Sequence, residues 1–461
     1  MAHSPAFAQV CCIFGPKGAQ PQEKIQKAES ERWGVGYRWF LDGALDRGAG
    51  YATMRAALRL LGGSRPRITS RLAIRHLSFA MSSSAAAAAP ASSVSSIPII
   101  DVGALVTPSA SAAAKLVVAA EIGDACEKVG FFVIRNHGVD RKVIDAAWEE
   151  TSRFFDRPVD SKVGEDSHLL MTDTYPYGYS PLGGEVLGKG DELGRDAGET
   201  NVGIGGAYDG QVQKPTSNAG DMKEMFAVGP YNEASGMPPP RYPPDSEAFQ
   251  AATMAYYQSM EVLSAALMRG FALSLGLDEH WFVAKNDRHA STLRALNYPS
   301  VSGEVPPEPG QMRASPHTDY GVLTILRSGG AGLQVKLLDD KWYDAPFLED
   351  AFIINLGDLM SRWTNDKWLS TPHRVVVPED LGSTAAMIGV ARRQSMAYFC
   401  NLNMDAHVET ISTCVDEDTP PKYKPCKAGD HLMAKHIAST QGILDGSWLK
   451  DDRIKSSRAD C

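Results

Sequence analysis

The spacing of hydrophobic residues predicts one long helix near the middle of the chain. Between residues 249 and 275, hydrophobic side chains recur every three or four positions, which places them on one face of a helix. The residues of that face are Tyr256, Met260, Leu263, Leu267 and Phe271. A stripe of this kind is typical of a helix that packs on a protein core, so we expect this face to be buried against the core of the domain.

Shorter elements are predicted before this helix. The pattern indicates helices over residues 112–129 and 143–155 and a strand at Phe131–Arg135 between them. From 182 to 220 the chain is rich in glycine and polar residues, and no regular element is predicted there. A loop of this length inside a domain is usually functional or disordered, and two interpretations stay open: a lid near a binding site, or a surface insertion.

Near the C-terminus, residues 429–436 are expected to be helical, and His431 and His436 are not expected to bind a metal.

Candidate chemistry begins with the spacing of His317 and Asp319. Residues i and i+2 of a β-strand point to the same face, so these two side chains would lie together if residues 315–326 include a strand. His373 follows Pro372, and proline is tolerated at the start of a strand. Two imidazoles and one carboxylate can hold iron(II) on one side and leave the other side open. We therefore predict that His317, Asp319 and His373 bind a metal.

A second pair, Arg393 and Ser395, shows the same i, i+2 spacing. A planar guanidinium can bind a carboxylate through two hydrogen bonds and keeps its charge, which suits the binding of a dicarboxylate. Each feature alone is weak, because a single histidine is more often a core or surface residue than a ligand. The order of the three ligands and the Arg-x-Ser pair within one strand-rich segment is what gives them weight.

Several longer motifs occur in the same order. They are Ile-Pro-Ile-Ile-Asp at 97–101, Gly-Phe-Phe-Val-Ile-Arg-Asn-His-Gly at 130–138, Leu-Asn-Tyr-Pro at 296–299, His-Thr-Asp-Tyr-Gly-Val-Leu-Thr at 317–324, Gly-Leu-Gln-Val at 332–335, Ile-Asn-Leu-Gly-Asp at 354–358 and His-Arg-Val at 373–375. Through these motifs, residues 97–440 resemble the iron(II)/2-oxoglutarate-dependent dioxygenases, in the branch similar to isopenicillin N synthase.

The resemblance implies a mainly β fold with flanking helices, built on a distorted double-stranded β-helix, the jelly roll of the cupins. It implies that His317, Asp319 and His373 are iron ligands, and that Arg393 and Ser395 bind the distal carboxylate of 2-oxoglutarate. Tyr298 matches a family tyrosine that contacts the co-substrate or substrate. The implied reactants are Fe(II), 2-oxoglutarate, O2 and a small organic molecule that is hydroxylated or desaturated, with release of succinate and CO2.

The sequence departs from the family pattern in three places. Residues 379–386 lengthen the segment between His373 and Arg393, and we expect them to extend a surface hairpin. Arg392 precedes Arg393, although only Arg393 has the right spacing to Ser395. Many relatives have asparagine where this chain has Leu296, so one hydrogen bond to the co-substrate would be missing or supplied elsewhere.

Composition agrees with an enzyme that acts on small molecules. The chain has 461 residues, of which 43% are hydrophobic, and a net charge of −9, which does not favour a nucleic-acid surface. No apolar run is long enough to span a membrane. The seven cysteines are odd in number and lack metal-site spacing, which indicates reduced thiols. They are Cys11, Cys12, Cys126, Cys400, Cys414, Cys426 and Cys461. A monomer in the cytoplasm is expected.

The first 96 residues do not match the motifs. From residue 52 to 100 there is no acidic residue, while arginines recur among alanine, leucine and serine, as in a mitochondrial or plastid transit peptide. A Ser/Ala-rich linker follows Met81. The alternative is that Met81 is the true start and the preceding residues are upstream sequence, because residues 1–50 contain acidic residues that transit peptides avoid.

Five regions are predicted from these patterns. They are a disordered or targeting extension (1–96), an N-terminal dioxygenase region (97–220), a helical support region (221–288), the jelly-roll domain (289–404) and a C-terminal helix and tail (405–461). Two other functions stay open: an oxidase of the same branch that does not use 2-oxoglutarate, and a catalytically silent protein that binds a metabolite.

Overall fold

The computed structural model describes residues 96–165, 168–172, 175–185, 187, 220–300, 311–376 and 392–439. All of them lie within one compact unit, Pro90–Cys461. The predicted N-terminal extension, most of the 182–220 loop and the hairpin at 379–386 lie outside the described residues. The five-part division of the chain remains a prediction.

Fourteen strands are formed by the described residues. They are β1 Ile99–Asp101, β2 Phe131–Arg135, β3 Gly178–Ser180, β4 Glu224–Val228, β5 Thr292–Tyr298, β6 Ala314–His317, β7 Leu323–Ser328, β8 Leu333–Lys336, β9 Trp342–Asp344, β10 Phe352–Leu356, β11 His373–Val375, β12 Arg393–Cys400, β13 His407–Val408 and β14 Cys426–Lys427.

The strands form three sheets. Eight of them make the larger sheet, in the order β1-β2-β10-β7-β12-β5-β4-β3, and four make the smaller sheet, in the order β6-β11-β8-β9. β13 and β14 pair separately. Strands from well before residue 289 therefore complete the larger sheet. The two main sheets share one hydrophobic cluster, in which Phe131, Ile353 and Ala397 of the larger sheet pack with Val335 and Val375 of the smaller one. This is the predicted jelly-roll arrangement.

Seven helices are formed by the described residues. They are α1 Gly103–Val106, α2 Ala112–Lys128, α3 Arg141–Phe155, α4 Val159–Val163, α5 Glu247–Ser274, α6 Asp358–Trp363 and α7 Ala428–Ser439, with short 3-10 turns at Glu233–Ser235, Val283–Lys285 and Ser412–Cys414. α5 packs on α2 and α3 and against β7 and β12. The predicted helical stripe of α5 is buried throughout, which confirms its role in the core.

Strand alternation determines which residues face the barrel interior. In β2, Phe131 and Val133 belong to the cluster between the sheets, whereas Phe132 and Ile134 belong to the cluster beneath the helices. In β12, Met396 and Tyr398 likewise pack under the helices. Because neighbours in a strand point to opposite faces, the alternate residues of β12, beginning with Arg393, face the interior.

Helix ends follow ordinary capping chemistry. The Ser111 hydroxyl accepts a hydrogen bond from the Ala114 amide at the start of α2, and Asp140 accepts one from the Lys142 amide at the start of α3. α2 ends just before Gly130, which has a φ of +70° and lies against the Leu369 carbonyl, so that a Cβ atom there would be 2.4 Å from that oxygen. Only glycine fits this turn between α2 and β2.

The described residues have no candidate membrane-spanning helix and no disulfide. None of their helices is both long enough and apolar enough to cross a membrane. Cys126, Cys400, Cys414 and Cys426 form no disulfide within the described part of the chain.

Candidate active site

The three predicted ligand side chains meet at one end of the smaller sheet. His317 ends β6 and is the direct antiparallel partner of His373, the first residue of β11. Asp319 lies two residues after β6 ends, so it reaches the site from the following turn and not from the strand predicted for it. Its Oδ1 atom is 3.9 Å from His317 Nε2 and 3.7 Å from His373 Nε2. Among the described residues, these three form the only cluster of histidine, cysteine or acidic side chains arranged to hold a metal.

Backbone carbonyls orient both imidazoles. His317 Nδ1 lies 2.7 Å from the Ser315 carbonyl oxygen, and His373 Nδ1 lies 3.2 Å from the Thr371 carbonyl oxygen. Because a carbonyl oxygen can only accept, each Nδ1 carries the proton and donates it. Each Nε2 therefore presents its lone pair toward Asp319, which is the tautomer that a metal ligand requires.

Two neutral side chains hold the Asp319 carboxylate. Its Oδ2 atom accepts hydrogen bonds from Asn355 Nδ2, at 2.7 Å, and from the Thr324 hydroxyl. Burial alone would raise the pKa of Asp319, but the two histidines and these two hydrogen bonds lower it below its ordinary value. Oδ1 stays directed at the histidines. Asn355 and Thr324 lie within motifs noted in the sequence, but no role was predicted for either of them.

Electrostatics favour an uncharged His317 beside an ionised Asp319. Burial, followed by the neighbouring His373, lowers the pKa of His317 to about 3. At neutral pH this imidazole is therefore free of a proton that a cation would have to displace. The site offers nitrogen and carboxylate donors in the combination that suits divalent iron.

Arg393, Ser395 and Tyr298 line the same cavity as the three ligands. The cavity has a volume of about 130 Å³. The Arg393 side chain donates to the Ser328 hydroxyl at 2.8 Å, and its Nε lies 3.5 Å from the Gly330 carbonyl oxygen. Its Nη1 is buried and has no hydrogen-bond partner among the described residues.

Arg393 is a buried cation with no carboxylate partner among the residues that the structure describes. The residue is only 5% exposed, its described hydrogen-bond partners are all neutral, and burial lowers its pKa. Leaving a charged group buried and unpaired is costly, so the arrangement suits an anion that enters from the cavity. Arg392 differs, because it pairs with Asp156 and bonds to Asn297 on the outer side of the strand.

A group of four charged side chains, three of them buried, forms another part of the site, and it was not predicted. Lys223 Nζ lies 2.9 Å from Glu185 Oε2 and 3.0 Å from Asp221 Oδ2, while Arg294 Nη1 lies 3.0 Å from Glu185 Oε1. Glu185, Lys223 and Arg294 line the cavity. Burial opposes ionisation of Glu185, but Lys223 and Arg294 lower its pKa to about 2.

Asp221 connects this charged group to the predicted metal ligands. Its Oδ1 atom accepts from the Ser315 amide at 3.0 Å and from the Ser315 hydroxyl at 2.7 Å. Ser315 is the residue whose carbonyl orients His317. The sequence signal was present: charged residues stand within or next to the otherwise hydrophobic strands β4 and β5. Strand alternation predicts that such residues face something polar, but not what they face.

The C-terminal helix closes part of the cavity. Leu432, Met433 and His436 of α7 line it, and His431 Nε2 lies 3.2 Å from the Tyr320 carbonyl oxygen. Neither histidine belongs to the His317, Asp319 and His373 cluster of the described residues. Lys435 anchors the helix through a buried contact of 3.4 Å with Asp358.

Comparison with family models matches both halves of the unit. Residues 97–246 match the model described as the non-haem dioxygenase in morphine synthesis N-terminal region. Residues 290–402 match the model of the 2OG-Fe(II) oxygenase superfamily. The second match includes all six residues predicted for the site.

Individual relatives agree with these models. The chain is 30% identical to the 2-oxoglutarate-Fe(II) type oxidoreductase ppzC of Metarhizium rileyi, over 74% of this chain and 87% of the relative. It is 29% identical to the validamycin A dioxygenase of Streptomyces hygroscopicus, over 79% of this chain and 92% of the relative. Among solved structures, a full-length Neurospora crassa protein in complex with alpha-KG and thymine aligns with a TM-score of 0.60 at 28% identity, over 74% of this chain and 96% of that one.

Proposed function

Because the chain belongs to the 2OG-Fe(II) oxygenase superfamily, we propose that His317, Asp319 and His373 hold its Fe(II). We propose also that Arg393 and Ser395 bind the distal carboxylate of 2-oxoglutarate beside Tyr298. The protein is a non-haem, 2-oxoglutarate-dependent dioxygenase that oxidises a small organic molecule. When bound, the iron and co-substrate together activate O2 for that oxidation and release succinate and CO2; the protein supplies binding, orientation and exclusion of competing reactions.

The observation that carries these assignments is the buried, anion-free guanidinium of Arg393 in the same cavity as the three ligands. The predicted ligands are one carboxylate and two imidazole nitrogens, a combination that suits divalent iron. The guanidinium supplies the positive charge that a dicarboxylate needs. A buried carboxylate without a cation and a buried guanidinium without an anion are both unfavourable. The proposed Fe(II) and 2-oxoglutarate would balance both charges.

The remaining residues have supporting roles in this proposal. Asn355 and Thr324 hold the Asp319 carboxylate by one oxygen and leave the other for the metal. The Ser315 and Thr371 carbonyls hold the imidazole tautomers. Tyr298 covers the Arg393 guanidinium, whose central carbon lies 4.9 Å from the ring centre. These contacts are made within the protein, so the site is organised before its ligands arrive.

This assignment favours the use of 2-oxoglutarate over the alternative of an oxidase that does not need it. Such an oxidase would need a carboxylate on its own substrate to pair with Arg393, whereas 2-oxoglutarate supplies one, and the relatives are 2-oxoglutarate-Fe(II) enzymes. A silent binding protein would have no need of the complete ligand set with both tautomers fixed. We propose further that the enzyme acts as a monomer in the cytoplasm, or in an organelle if the arginine-rich residues 52–96 direct import.

Anaerobic titration tests the assignment directly. Protein loaded with Fe(II) should bind one iron and one 2-oxoglutarate, and the pair should give the visible charge-transfer absorption of an iron chelate. His373→Ala should lose iron, whereas Arg393→Ala should keep iron and lose 2-oxoglutarate affinity. Retention of iron by His317→Ala and His373→Ala would refute the ligand assignment. A small-molecule library, followed by succinate release, would then identify substrates.

A further inference from the structure

The cavity contains more charged residues than the metal and the co-substrate account for. Glu185, Lys223 and Arg294 line it but belong neither to the ligand set nor to the proposed 2-oxoglutarate clamp. With Asp221 they form a connected group of two cations and two anions, so their charges balance. Buried charges are costly unless they are paired, and here each has an opposite charge within hydrogen-bond distance.

The members of this group differ in how fully their polar atoms are used. Asp221 accepts from Lys223, Ser315 and the Leu187 amide, and Lys223 contacts both carboxylates. Arg294 has a single hydrogen bond, from Nη1 to Glu185, among the described residues. A guanidinium has five N–H donors, so most of those of Arg294 have no hydrogen-bond partner in the described part of the chain.

The surroundings of Arg294 are those of a binding surface for a ring. Its guanidinium lies over the Phe399 ring, with 5.3 Å between its central carbon and the ring centre. Its side chain is 16% exposed, which is more than that of Glu185 or Lys223, each at 2%. Hydrophobic and aromatic side chains also line the cavity, among them Tyr177, Leu187, Met237, Phe399, Leu432 and Met433.

We propose that Arg294 determines substrate specificity by donating hydrogen bonds to a carbonyl-type oxygen of an uncharged, largely apolar substrate. Glu185 already neutralises this guanidinium, so a substrate carboxylate would add an unpaired negative charge to a balanced, buried group. A neutral amide, lactam or ketone accepts the same hydrogen bonds without that charge. The inference rests on the proposed function, because it concerns the substrate of the same iron site.

The test uses ring compounds in matched carboxamide and carboxylate pairs. Indole-3-acetamide with indole-3-acetate, cinnamamide with cinnamate, and nicotinamide with nicotinate are suitable, within a larger library of such pairs. Binding is measured by equilibrium dialysis against full-length protein loaded with Fe(II) and 2-oxoglutarate without oxygen. For each pair in which wild type binds either compound, the carboxamide should bind at least about tenfold more tightly than the carboxylate.

Two variants separate charge balance from shape. Glu185→Gln leaves the group with a net positive charge, so the preference should shift toward the carboxylates by about tenfold or more. Arg294→Leu should weaken carboxamide binding, while Arg288→Leu, which removes an exposed arginine paired with Asp405, should not. Thermal unfolding and iron content establish that each variant is folded.

The proposal is overturned if wild type binds the carboxylates as tightly as the carboxamides, or binds no carboxamide of the library. It is overturned equally if Glu185→Gln leaves the preference unchanged. Succinate release without any second substrate separates failure of the proposed function from failure of this inference about the substrate. If that release persists and depends on 2-oxoglutarate while the library fails, the proposed function stands and this inference falls. If iron and 2-oxoglutarate do not bind, both fall.

Discussion

Arg393 and Tyr298 stand opposite each other in the antiparallel pairing of β12 with β5, and the guanidinium carbon lies 4.9 Å from the centre of the phenol ring. A ring face attracts a cation without neutralising it. The pairing therefore holds Arg393 in place and leaves its charge available to a ligand. Ser395 lies two residues farther along the same face of β12, so both side chains can reach one carboxylate.

Replacement of Arg393 should selectively weaken binding of 2-oxoglutarate. Loss of a buried, charge-assisted contact to a carboxylate costs about 2–5 kcal/mol, which corresponds to a Kd increase of roughly 30-fold or more. Isothermal titration of the iron-loaded Arg393→Ala variant with 2-oxoglutarate measures this change. Arg392→Ala is the matched control, because this neighbour makes its contacts with Asp156 and Asn297.

The control should keep wild-type affinity for 2-oxoglutarate and lose about 1 kcal/mol of stability at most, as expected for a partly exposed ion pair. Equal losses of affinity in Arg392→Ala and Arg393→Ala would show that the clamp is wrongly assigned. Unchanged affinity in Arg393→Ala would lead to the same conclusion.

Iron affinity should depend on the two side chains that hold Asp319. Thr324→Val removes the hydroxyl that donates to Oδ2 and keeps nearly the same shape. Loss of such a supporting hydrogen bond typically weakens metal binding by roughly 10- to 100-fold. Competition with a chromophoric chelator measures the change, and Asn355→Ala should act in the same direction.

Thr253→Val is the control for that substitution. Thr253 is a buried threonine in α5, and its hydroxyl donates to the Phe249 carbonyl within the helix. This change should leave iron affinity unaltered. If both threonine variants lose iron equally, the effect reflects general destabilisation and not the orientation of Asp319.

The buried charge group should make stability depend on pH in the acid range. The pKa of Glu185 in the folded protein is about 2, below its ordinary value of 4.5, so its ionised form stabilises the fold. This contribution is fully present above pH 4.5 and is lost as the pH falls toward 2. Urea unfolding of the metal-free protein should show wild type more stable than Glu185→Gln at pH 7.

The difference between the two proteins should shrink progressively between pH 4.5 and pH 2. It should be on the order of a few kcal/mol at neutral pH, because the substitution also leaves Lys223 and Arg294 without their shared partner. A difference that is constant with pH would mean that Glu185 is not ionised in the folded protein.

Part of the candidate site could be predicted from the sequence, because some of its residues are near neighbours along one strand. Arg393 and Ser395 share a strand face by simple alternation, and both were predicted to do so. Asp319 shows the limit of that reasoning, since β6 ends at His317 and a turn carries the carboxylate to the site. The structure therefore brings the predicted side chains together, but Asp319 arrives by a turn and not by the strand predicted for it.

Contacts between distant segments could not be predicted in the same way. Glu185 meets Arg294 and Lys223 only because β4 and β5 pair and the chain before β4 folds over them. No local pattern specifies that meeting. Asn355 is similar: a polar residue in a buried strand must find a partner, but only the β10–β7 pairing brings it near Thr324 and Asp319.

Gly130 should be irreplaceable, whereas Gly276 should tolerate alanine. Both have positive φ, at +70° and +69°, which costs a non-glycine residue about 1 kcal/mol or more. At Gly130 an added Cβ also meets the Leu369 carbonyl at 2.4 Å, while at Gly276 the space is open. Chemical unfolding should show Gly130→Ala less stable than Gly276→Ala by roughly 2 kcal/mol or more. Equal losses would mean that the α2–β2 turn moves freely.

The N-terminal residues should be dispensable for catalysis. The match to the first family model begins at residue 97, and the first strand begins at Ile99. A chain that starts at Met81 should therefore bind one iron, release succinate at the wild-type rate and unfold at the same temperature. Calorimetry and iron titration of the two proteins, purified in parallel, measure this. A lower Tm or lost turnover in the shorter chain would mean that residues 1–80 contribute to the enzyme.

Fusion of residues 52–96 to a fluorescent reporter tests targeting separately. An import signal should carry the reporter into mitochondria or plastids, whereas upstream sequence without that role should leave it in the cytoplasm.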